Sequence, residues 1–226
     1  MPTALITGAS RGLGAEIARQ LSDTHSVLLG GRPSNHLDEL AAEIAGAATF
    51  AVDLTDHDAL GTAAAAIDSL DVLVHSAGVG SSLEHVADTP ADEWRHILEV
   101  NLVAVAELTR LLLPALRTAR GHIVFINSGA GRNARPGWAP YAASKFGMRA
   151  LAEALRGEEP DIRVTSVFPG RIDTDMQRDL VAIEGREYNA AEFLKPSTVA
   201  AAVVGAINTP LDADLQEIVL RPTGRS

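Results

Sequence analysis

Residues 7–14, Thr7-Gly8-Ala9-Ser10-Arg11-Gly12-Leu13-Gly14, decide the fold of this chain. They follow an apolar run at 4–7 that predicts a strand, and they lead into Leu13, Ile17 and Leu21, whose spacing predicts a helix. Glycines permit a tight turn and close backbone approach to a ligand, and a helix N-terminus offers free N–H groups. This unit therefore predicts a pyrophosphate site. No Lys-Ser or Lys-Thr follows the glycines, which disfavours a P-loop nucleotide hydrolase.

The same alternation of short apolar runs and helical patterns continues along the chain. Further strands are predicted at 26–29, 49–54, 71–75, 122–126, 162–168 and 217–220. Helices are predicted at 37–44, 56–67, 90–117, 141–155 and 197–207, with a break or kink at Pro114. This order predicts an α/β, Rossmann-type, doubly wound fold with a seven-stranded, mainly parallel sheet and helices on both faces. We expect a single domain over 1–226, with the polar, aperiodic segment 171–193 as a surface loop or lid.

Composition and charge narrow the class of protein. The chain has 226 residues, of which 46% are hydrophobic and 21% charged, as in ordered globular proteins. A net charge of -10 makes nucleic acid and anionic membranes poor partners. Cysteine is absent and the seven histidines show no recognised metal spacing, so we expect no metal site. The N-terminus lacks a signal-peptide pattern, and no apolar run approaches about 18 residues, which predicts a cytoplasmic protein.

The end of the second predicted strand indicates which dinucleotide the chain would bind. No acidic residue occurs from 30 to 34, and Arg32 follows the strand directly. In dinucleotide-binding folds an acid here binds a free 2′-hydroxyl, whereas an arginine suits a 2′-phosphate. Arg32, together with Arg11, would bind that phosphate through charge-assisted hydrogen bonds, each contributing roughly 1.5–3 kcal/mol. The sequence therefore predicts NADP(H) rather than NAD(H).

Several motifs in order resemble the short-chain dehydrogenase/reductase family, in its compact single-domain branch, over essentially the whole chain. They are TGxxxGxG at 7–14, Ser128, and Tyr141-Ala142-Ala143-Ser144-Lys145. The resemblance implies an NADP(H)-dependent oxidoreductase that moves hydride between the nicotinamide and a carbonyl or alcohol substrate. It implies catalytic roles for Asn101, Ser128, Tyr141 and Lys145. It implies cofactor binding by Gly8, Ser10, Arg11, Gly12, Leu13, Gly14, Arg32, Asp53, Leu54, Ala77, Gly78, Asn101, Tyr141, Lys145, Pro169, Gly170, Ile172 and Thr174.

The spacing of Tyr141 and Lys145 also makes chemical sense by itself. Four residues apart, they lie on one face of a helix. A free tyrosine has a pKa of about 10, and a nearby ammonium lowers that pKa, so the pair is predicted to exchange protons near neutral pH. The family resemblance adds that Ser128 hydrogen-bonds the substrate carbonyl and that Asn101 holds a water in a relay toward the lysine.

One motif departs from the family pattern. The chain has His75-Ser76-Ala77-Gly78 where the family usually has Asn-Asn-Ala-Gly. The Ala-Gly pair that lets the backbone approach the cofactor is retained, whereas Ser76 is shorter than the usual asparagine. This change places the local hydrogen-bond network in question. His75 is predicted to be a packed strand residue and not a base.

The sequence leaves the substrate open. The substrate of an enzyme would be either a ketone or aldehyde, or a 3-oxoacyl thioester. A different class of function is also open, that of a catalytically silent NADP(H)-binding sensor or scaffold. Residues 78–85, 129–138 and 171–193, the last containing Tyr188, are predicted to border the substrate pocket. Arg132 and Arg135 would either meet an anionic substrate or be solvated. The family resemblance implies a homodimer or homotetramer formed through the Asn101 and Tyr141 helices.

Overall fold

A computed structural model of the chain, which describes residues 1–223, has a seven-stranded sheet at its centre. The strands are β1 (Thr3–Thr7), β2 (Ser26–Gly31), β3 (Ala48–Ala51), β4 (Val72–His75), β5 (His122–Ile126), β6 (Arg163–Pro169) and β7 (Glu217–Leu220). Their order is β3-β2-β1-β4-β5-β6-β7, and every pairing is parallel. The predicted Rossmann-type, doubly wound sheet is confirmed. The order reverses direction between β1 and β4, where ligands of such folds bind.

Helices cover both faces of the sheet. They are α1 (Gly12–Leu21), α2 (Asn35–Glu43), α3 (His57–Ala64), α4 (Ala91–Leu98), α5 (Ala104–Ala119), α6 (Ala139–Glu158), α7 (Asp175–Ile183) and α8 (Pro196–Ile207). Alternate residues of β1 feed two cores, because Ile6 packs with α1, α2 and α8 while Leu5 packs with α3, α5 and α6. Within residues 1–223, no helix has both the length and the apolar character needed to cross a membrane.

The long helical region predicted at 90–117 is divided differently from the expectation. A π-helical turn, Glu99–Val103, separates α4 from α5. The predicted break at Pro114 is wrong, because α5 continues through Pro114 to Ala119. Pro114 is exposed, on the side of the helix away from the core, while the buried Leu112 and Leu116 hold the helix on the core.

The segment 171–193, expected to lack regular structure, contains a helix and a 3-10 turn. Helix α7 begins after Thr174, whose hydroxyl accepts a hydrogen bond from the N–H of Gln177. The 3-10 turn is Ala190–Glu192. Gln177, Leu180 and Val181 are the buried face of α7. The expectation of a loop was wrong because only three positions of this helix point inward, which is too few to show a clear period.

Candidate active site

A cleft of about 1110 Å³ opens at the carboxyl ends of β1, β4, β5 and β6. Its walls contain all of the site residues predicted from the sequence except Asn101. These are Gly8, Ser10, Arg11, Gly12, Leu13, Gly14, Arg32, Asp53, Leu54, Ala77, Gly78, Ser128, Tyr141, Lys145, Pro169, Gly170, Ile172 and Thr174. The fold therefore brings segments from the whole length of the chain to one opening.

The glycine-rich loop lies tightly against its neighbours at one end of the cleft. Gly8 has a φ of +67°, and a Cβ there would lie 2.9 Å from the Cα of Ala77. A Cβ on Gly14 would lie 2.3 Å from the carbonyl oxygen of Gly8. Helix α1 starts without a side-chain cap from Arg11, and within residues 1–223 its first N–H groups have no side-chain acceptor. A bare backbone cradle at a helix N-terminus fits the pyrophosphate of a dinucleotide.

The ends of β2 and β3 place charged side chains beside this loop. Arg32 is exposed and lines the cleft, and within residues 1–223 no carboxylate lies within 4.0 Å of it. Asp53 Oδ1 accepts hydrogen bonds from the N–H and the hydroxyl of Thr55, which lower the pKa of Asp53 with a smaller contribution from Arg32. Arg11 lies 3.7 Å from Asp175 at the start of α7, in an exposed ion pair.

Thr7 joins the ends of strands β1 and β4, where Ser76 replaces the asparagine that is usual in the family. Its hydroxyl oxygen accepts hydrogen bonds from the N–H groups of Ser76 and Ala77, at 3.0 and 3.1 Å. The Thr7 side chain thereby binds backbone N–H groups that follow β4. These bonds do not depend on the side chain at position 76. His75 is buried, stacks on Phe125 and bonds Thr109 through Nε2, as predicted for a packed histidine.

Ser128, Tyr141 and Lys145 meet at the other end of the cleft. Lys145 Nζ donates to the carbonyl of Ile126 at 3.0 Å and lies 5.7 Å from the centre of the Tyr141 ring. Burial lowers the pKa of Lys145 to about 8. Burial raises the pKa of Tyr141, and the hydrogen bond with Ser128 opposes that rise. The net shift of the Tyr141 pKa is therefore upward, opposite to the predicted direction, because burial has a larger effect than the hydrogen bond with Ser128.

Asn101 is fully buried in the π-helical turn and does not line the cleft. Its Oδ1 accepts from the N–H of Val79 at 2.8 Å, and its Nδ2 donates to the carbonyl of Val79 and to the hydroxyl of Ser144. The side chain clamps the backbone that follows Gly78 to helix α6. The cofactor contact and the water relay predicted for Asn101 stay predictions.

Asn127 is a site residue that the sequence analysis missed. Its Nδ2 donates to the carbonyl of Lys145 at 3.0 Å, and its Oδ1 accepts from the N–H of Ser128 at 2.8 Å. The side chain is buried and lines the base of the cleft. It fixes the loop that carries Ser128 to the helix that carries Tyr141. An amide directly before Ser128 at a strand end was the available signal.

The mouth of the cleft beside Tyr141 is aromatic and charged. Trp138 meets the Tyr141 ring edge-on at 5.7 Å, and Arg171, paired with Glu184, lies over Trp138. Arg135 lines the cleft, but Arg132 does not. Tyr188, predicted to border the pocket, instead donates its hydroxyl to Asp173 and is not among the lining residues.

These features define a nucleotide-binding α/β protein with a tyrosine–serine–lysine site. The family model described as short chain dehydrogenase matches residues 2–185, and the chain belongs to that family of oxidoreductases. It is 33% identical to the uncharacterized short-chain type dehydrogenase/reductase y4eK of Sinorhizobium fredii, covering 98% of this chain and 92% of the relative. It is 35% identical to glycine betaine reductase ATRR of Emericella nidulans, of which it spans only 18%.

A solved structure gives the same picture of the fold. The chain superposes on the alcohol dehydrogenase from the archaeon Thermococcus sibiricus, complexed with 5-hydroxy-NADP, with a TM-score of 0.89. The two are 28% identical, and the match covers 100% of this chain and 98% of the other. The similarity places this protein among the pyridine-nucleotide oxidoreductases of the family.

Proposed function

We propose that the protein is an NADP(H)-dependent oxidoreductase that interconverts a carbonyl and an alcohol. The observation that carries this proposal is the meeting of Ser128 and Tyr141 in one cleft with the uncapped N-terminus of α1. A dinucleotide that lies across the cleft from the glycine loop toward Tyr141 would reach both ends. When bound, the nicotinamide supplies or accepts the hydride.

Each residue near Tyr141 has a distinct task in the proposed reduction. The Ser128 hydroxyl orients the substrate carbonyl, and the Tyr141 hydroxyl donates the proton to its oxygen. A raised pKa keeps Tyr141 protonated in the pH range where it acts as an acid. Lys145, fixed by the Ile126 carbonyl, holds positive charge beside the ring and favours the phenolate left after proton transfer. Asn101 and Asn127 position these groups through backbone contacts.

The cofactor is proposed to bind along the walls that the sequence indicated. The backbone of residues 8–14 holds the pyrophosphate, and Asp53 and Leu54 border the adenine. Ile172 and Thr174 hold the carboxamide of the nicotinamide. Arg32 selects the 2′-phosphate, since it faces the cleft with no carboxylate partner in the described chain. The NADP derivative in the Thermococcus sibiricus structure supports this choice.

A panel of carbonyl compounds tests the proposal directly. We expect consumption of NADPH with at least one ketone, aldehyde or 3-oxoacyl thioester, followed as loss of nicotinamide absorbance. NADH should be used more weakly. Tight NADPH binding without turnover of any compound would favour the sensor or scaffold alternative. Equal affinities for NADPH and NADH would contradict the assignment to Arg32.

The assembly and location are further parts of the proposal. We infer a cytoplasmic homodimer or homotetramer that forms through α5 and α6. The exposed side chains of Val103, at the end of the π-helical turn before α5, and of Phe146, on α6, support that inference, because each leaves an apolar group in water in a single chain. Light scattering after gel filtration should give two or four times the mass of one chain, and a monomer would contradict the inference.

A further inference from the structure

The C-terminal segment after β7 brings a fixed guanidinium to the Tyr141 end of the cleft. Arg221 Nη1 donates to the carbonyls of Phe168 and Leu220, at 2.6 and 2.8 Å. Both Arg221 and Pro222 line the cleft. The residue is exposed, and these two backbone acceptors hold one end of its side chain in place. No motif in the sequence pointed to Arg221, since only the parallel pairing of β7 with β6 carries it to the site.

The unused nitrogen of Arg221 faces the residue after Ser128. A Cβ built on Gly129 would lie 3.3 Å from Arg221 Nη2, so the guanidinium rests against the Gly129 backbone. Nη2 has two N–H donors, and within residues 1–223 it makes no hydrogen bond. A group bound at Ser128 therefore lies beside a fixed donor that has no acceptor in the described chain.

The charges around Arg221 favour an anion. The nearby acid on β7, Glu217, is already shared by Arg132 and Arg149, at 3.1 and 3.2 Å. These two arginines also lie over the buried ring of Phe168, at 5.3 and 5.9 Å. Arg149 also pairs with Glu153 at 3.0 Å, so both of these arginines have carboxylate partners, whereas Arg221 has none within residues 1–223. A guanidinium that has no carboxylate partner in the described chain attracts a small anion and repels a cation.

We propose that the substrate carries a carboxylate, that is, a short oxo acid or hydroxy acid, and that Arg221 Nη2 binds that carboxylate. This inference rests on the proposed function, because it places the reacting carbonyl at Ser128. One guanidinium nitrogen with two free N–H donors matches a single negative charge better than a phosphate dianion, which takes more donors. The side chain of Arg135 makes no hydrogen bond within residues 1–223, so nothing in the described chain fixes it for selecting the substrate.

The test compares charged and neutral forms of one substrate. Pyruvate, acetoacetate and levulinate are each assayed with NADPH against their methyl esters, for the natural protein and for Arg221→Gln. We expect at least one acid to exceed its ester in kcat/KM. We expect Arg221→Gln to lose on the order of 10–100-fold on the acid, as for a charge-assisted hydrogen bond, and to change little on the ester.

Two control variants separate the role of Arg221 from general effects. Arg132→Gln removes an arginine over the same Phe168 ring but outside the cleft, and it should keep the preference for the acid. A loss of preference in Arg132→Gln or Arg135→Gln equal to that in Arg221→Gln would overturn the proposal. An equal fall on acid and ester in Arg221→Gln would show a structural role only and overturn it as well. A preference for dihydroxyacetone phosphate over every oxo acid would replace the carboxylate by a phosphate.

A binding measurement keeps this inference separate from the proposed function. Oxamate, an unreactive oxo-acid analogue, and its neutral counterpart oxamide are titrated into the protein with NADP present, by calorimetry. Oxamate should bind the natural protein more tightly than oxamide, and Arg221→Gln should abolish the difference. If no carbonyl compound is reduced but oxamate still binds through Arg221, the proposed function fails and the anion site stands. Equal binding of oxamate and oxamide overturns the anion site alone.

Discussion

The two ends of the cleft are built from the chain in different ways. The glycine-loop half, with residues 7–14, Arg32 and Asp53, comes from three successive strand ends within the first quarter of the sequence. The Tyr141 half draws Ser128, Tyr141 and Arg221 from β5, α6 and the segment after β7. The first half presents mainly backbone N–H groups, and the second presents side chains held by long-range hydrogen bonds. The backbone groups of the glycine-loop half suit a ligand part that is the same in every reaction. The side chains of the Tyr141 half suit a ligand part that differs between substrates.

Removing the Tyr141 hydroxyl should give the largest effect and should leave the glycine-loop half intact. In Tyr141→Phe we expect turnover to fall by about 10²–10⁴-fold, the usual contribution of a positioned proton donor. NADPH affinity should change by less than about threefold, because the phenyl ring remains. Steady-state kinetics and a fluorescence titration measure the two quantities. Undiminished turnover would refute the assignment of Tyr141 as the acid.

Adding one methyl group to the glycine loop should lower stability and cofactor binding through the glycine-loop half alone. In Gly14→Ala the new Cβ meets the Gly8 carbonyl at 2.3 Å, so the loop must shift. We expect a loss of about 1–3 kcal/mol in the free energy of unfolding and weaker binding of both NADPH and NADH.

Gly205→Ala is the matched control for the loop variant, since Gly205 also lies in a helix but has no atom within 4 Å of a new Cβ. It should be neutral or stabilising by about 0.5–1 kcal/mol. Urea unfolding compares the two variants. Similar stability changes in both would show that the loop is not tightly packed.

Asn127→Ala should separate positioning from chemistry within the Tyr141 half. It leaves the N–H of Ser128 and the carbonyl of Lys145 without their partner, which costs about 1–3 kcal/mol in stability. We expect kcat to fall more than tenfold while NADPH affinity stays near that of the natural protein. Asn133→Ala, an exposed asparagine in the same cleft, should change neither quantity. A loss in Asn133→Ala as large as in Asn127→Ala would count against this role.

Arg32→Ala should act on the cofactor alone. The loss of a charge-assisted bond predicts NADPH affinity lower on the order of 10–100-fold, while NADH affinity remains within about threefold. Titration of both cofactors into both proteins provides the measurement. An equal decrease for NADPH and NADH would mean that Arg32 does not sense the 2′-phosphate.

The free energy of unfolding should depend on pH through Lys145, in the Tyr141 half, and not through the glycine-loop half. Burial lowers the pKa of Lys145 from its ordinary value of 10.5 to about 8. Below pH 8 both folded and unfolded chains carry the proton, and the burial penalty is complete. Above pH 8 the folded chain releases the proton while the unfolded chain keeps it, so the free energy of unfolding rises with pH.

Urea unfolding between pH 8 and pH 9.5 measures this contribution. We expect the natural protein to gain up to about 1.4 kcal/mol per pH unit relative to Lys145→Met. The window stays below the ordinary pKa of tyrosine, so Tyr141 contributes little to the slope. Parallel slopes in the two proteins would show that Lys145 keeps its ordinary pKa when folded.

The sequence by itself determined the sheet and the glycine-loop half. The period of Leu13, Ile17 and Leu21, the strand before the glycines, and the alternation of elements along the chain are local patterns, and the structure confirms them. Local patterns were insufficient at 171–193, where α7 buries only three positions, and at Pro114, where packing of the opposite face sustains the helix.

Only the tertiary structure decided how the Tyr141 half is assembled. The clamp of Asn101 on Val79, the tie of Asn127 between Ser128 and Lys145, and the arrival of Arg221 beside Gly129 all join residues far apart in sequence. The direction of the Tyr141 pKa likewise depends on burial, which spacing does not reveal. Local periodicity and backbone geometry can be read along a chain, whereas desolvation and long-range hydrogen bonds exist only once the chain has folded.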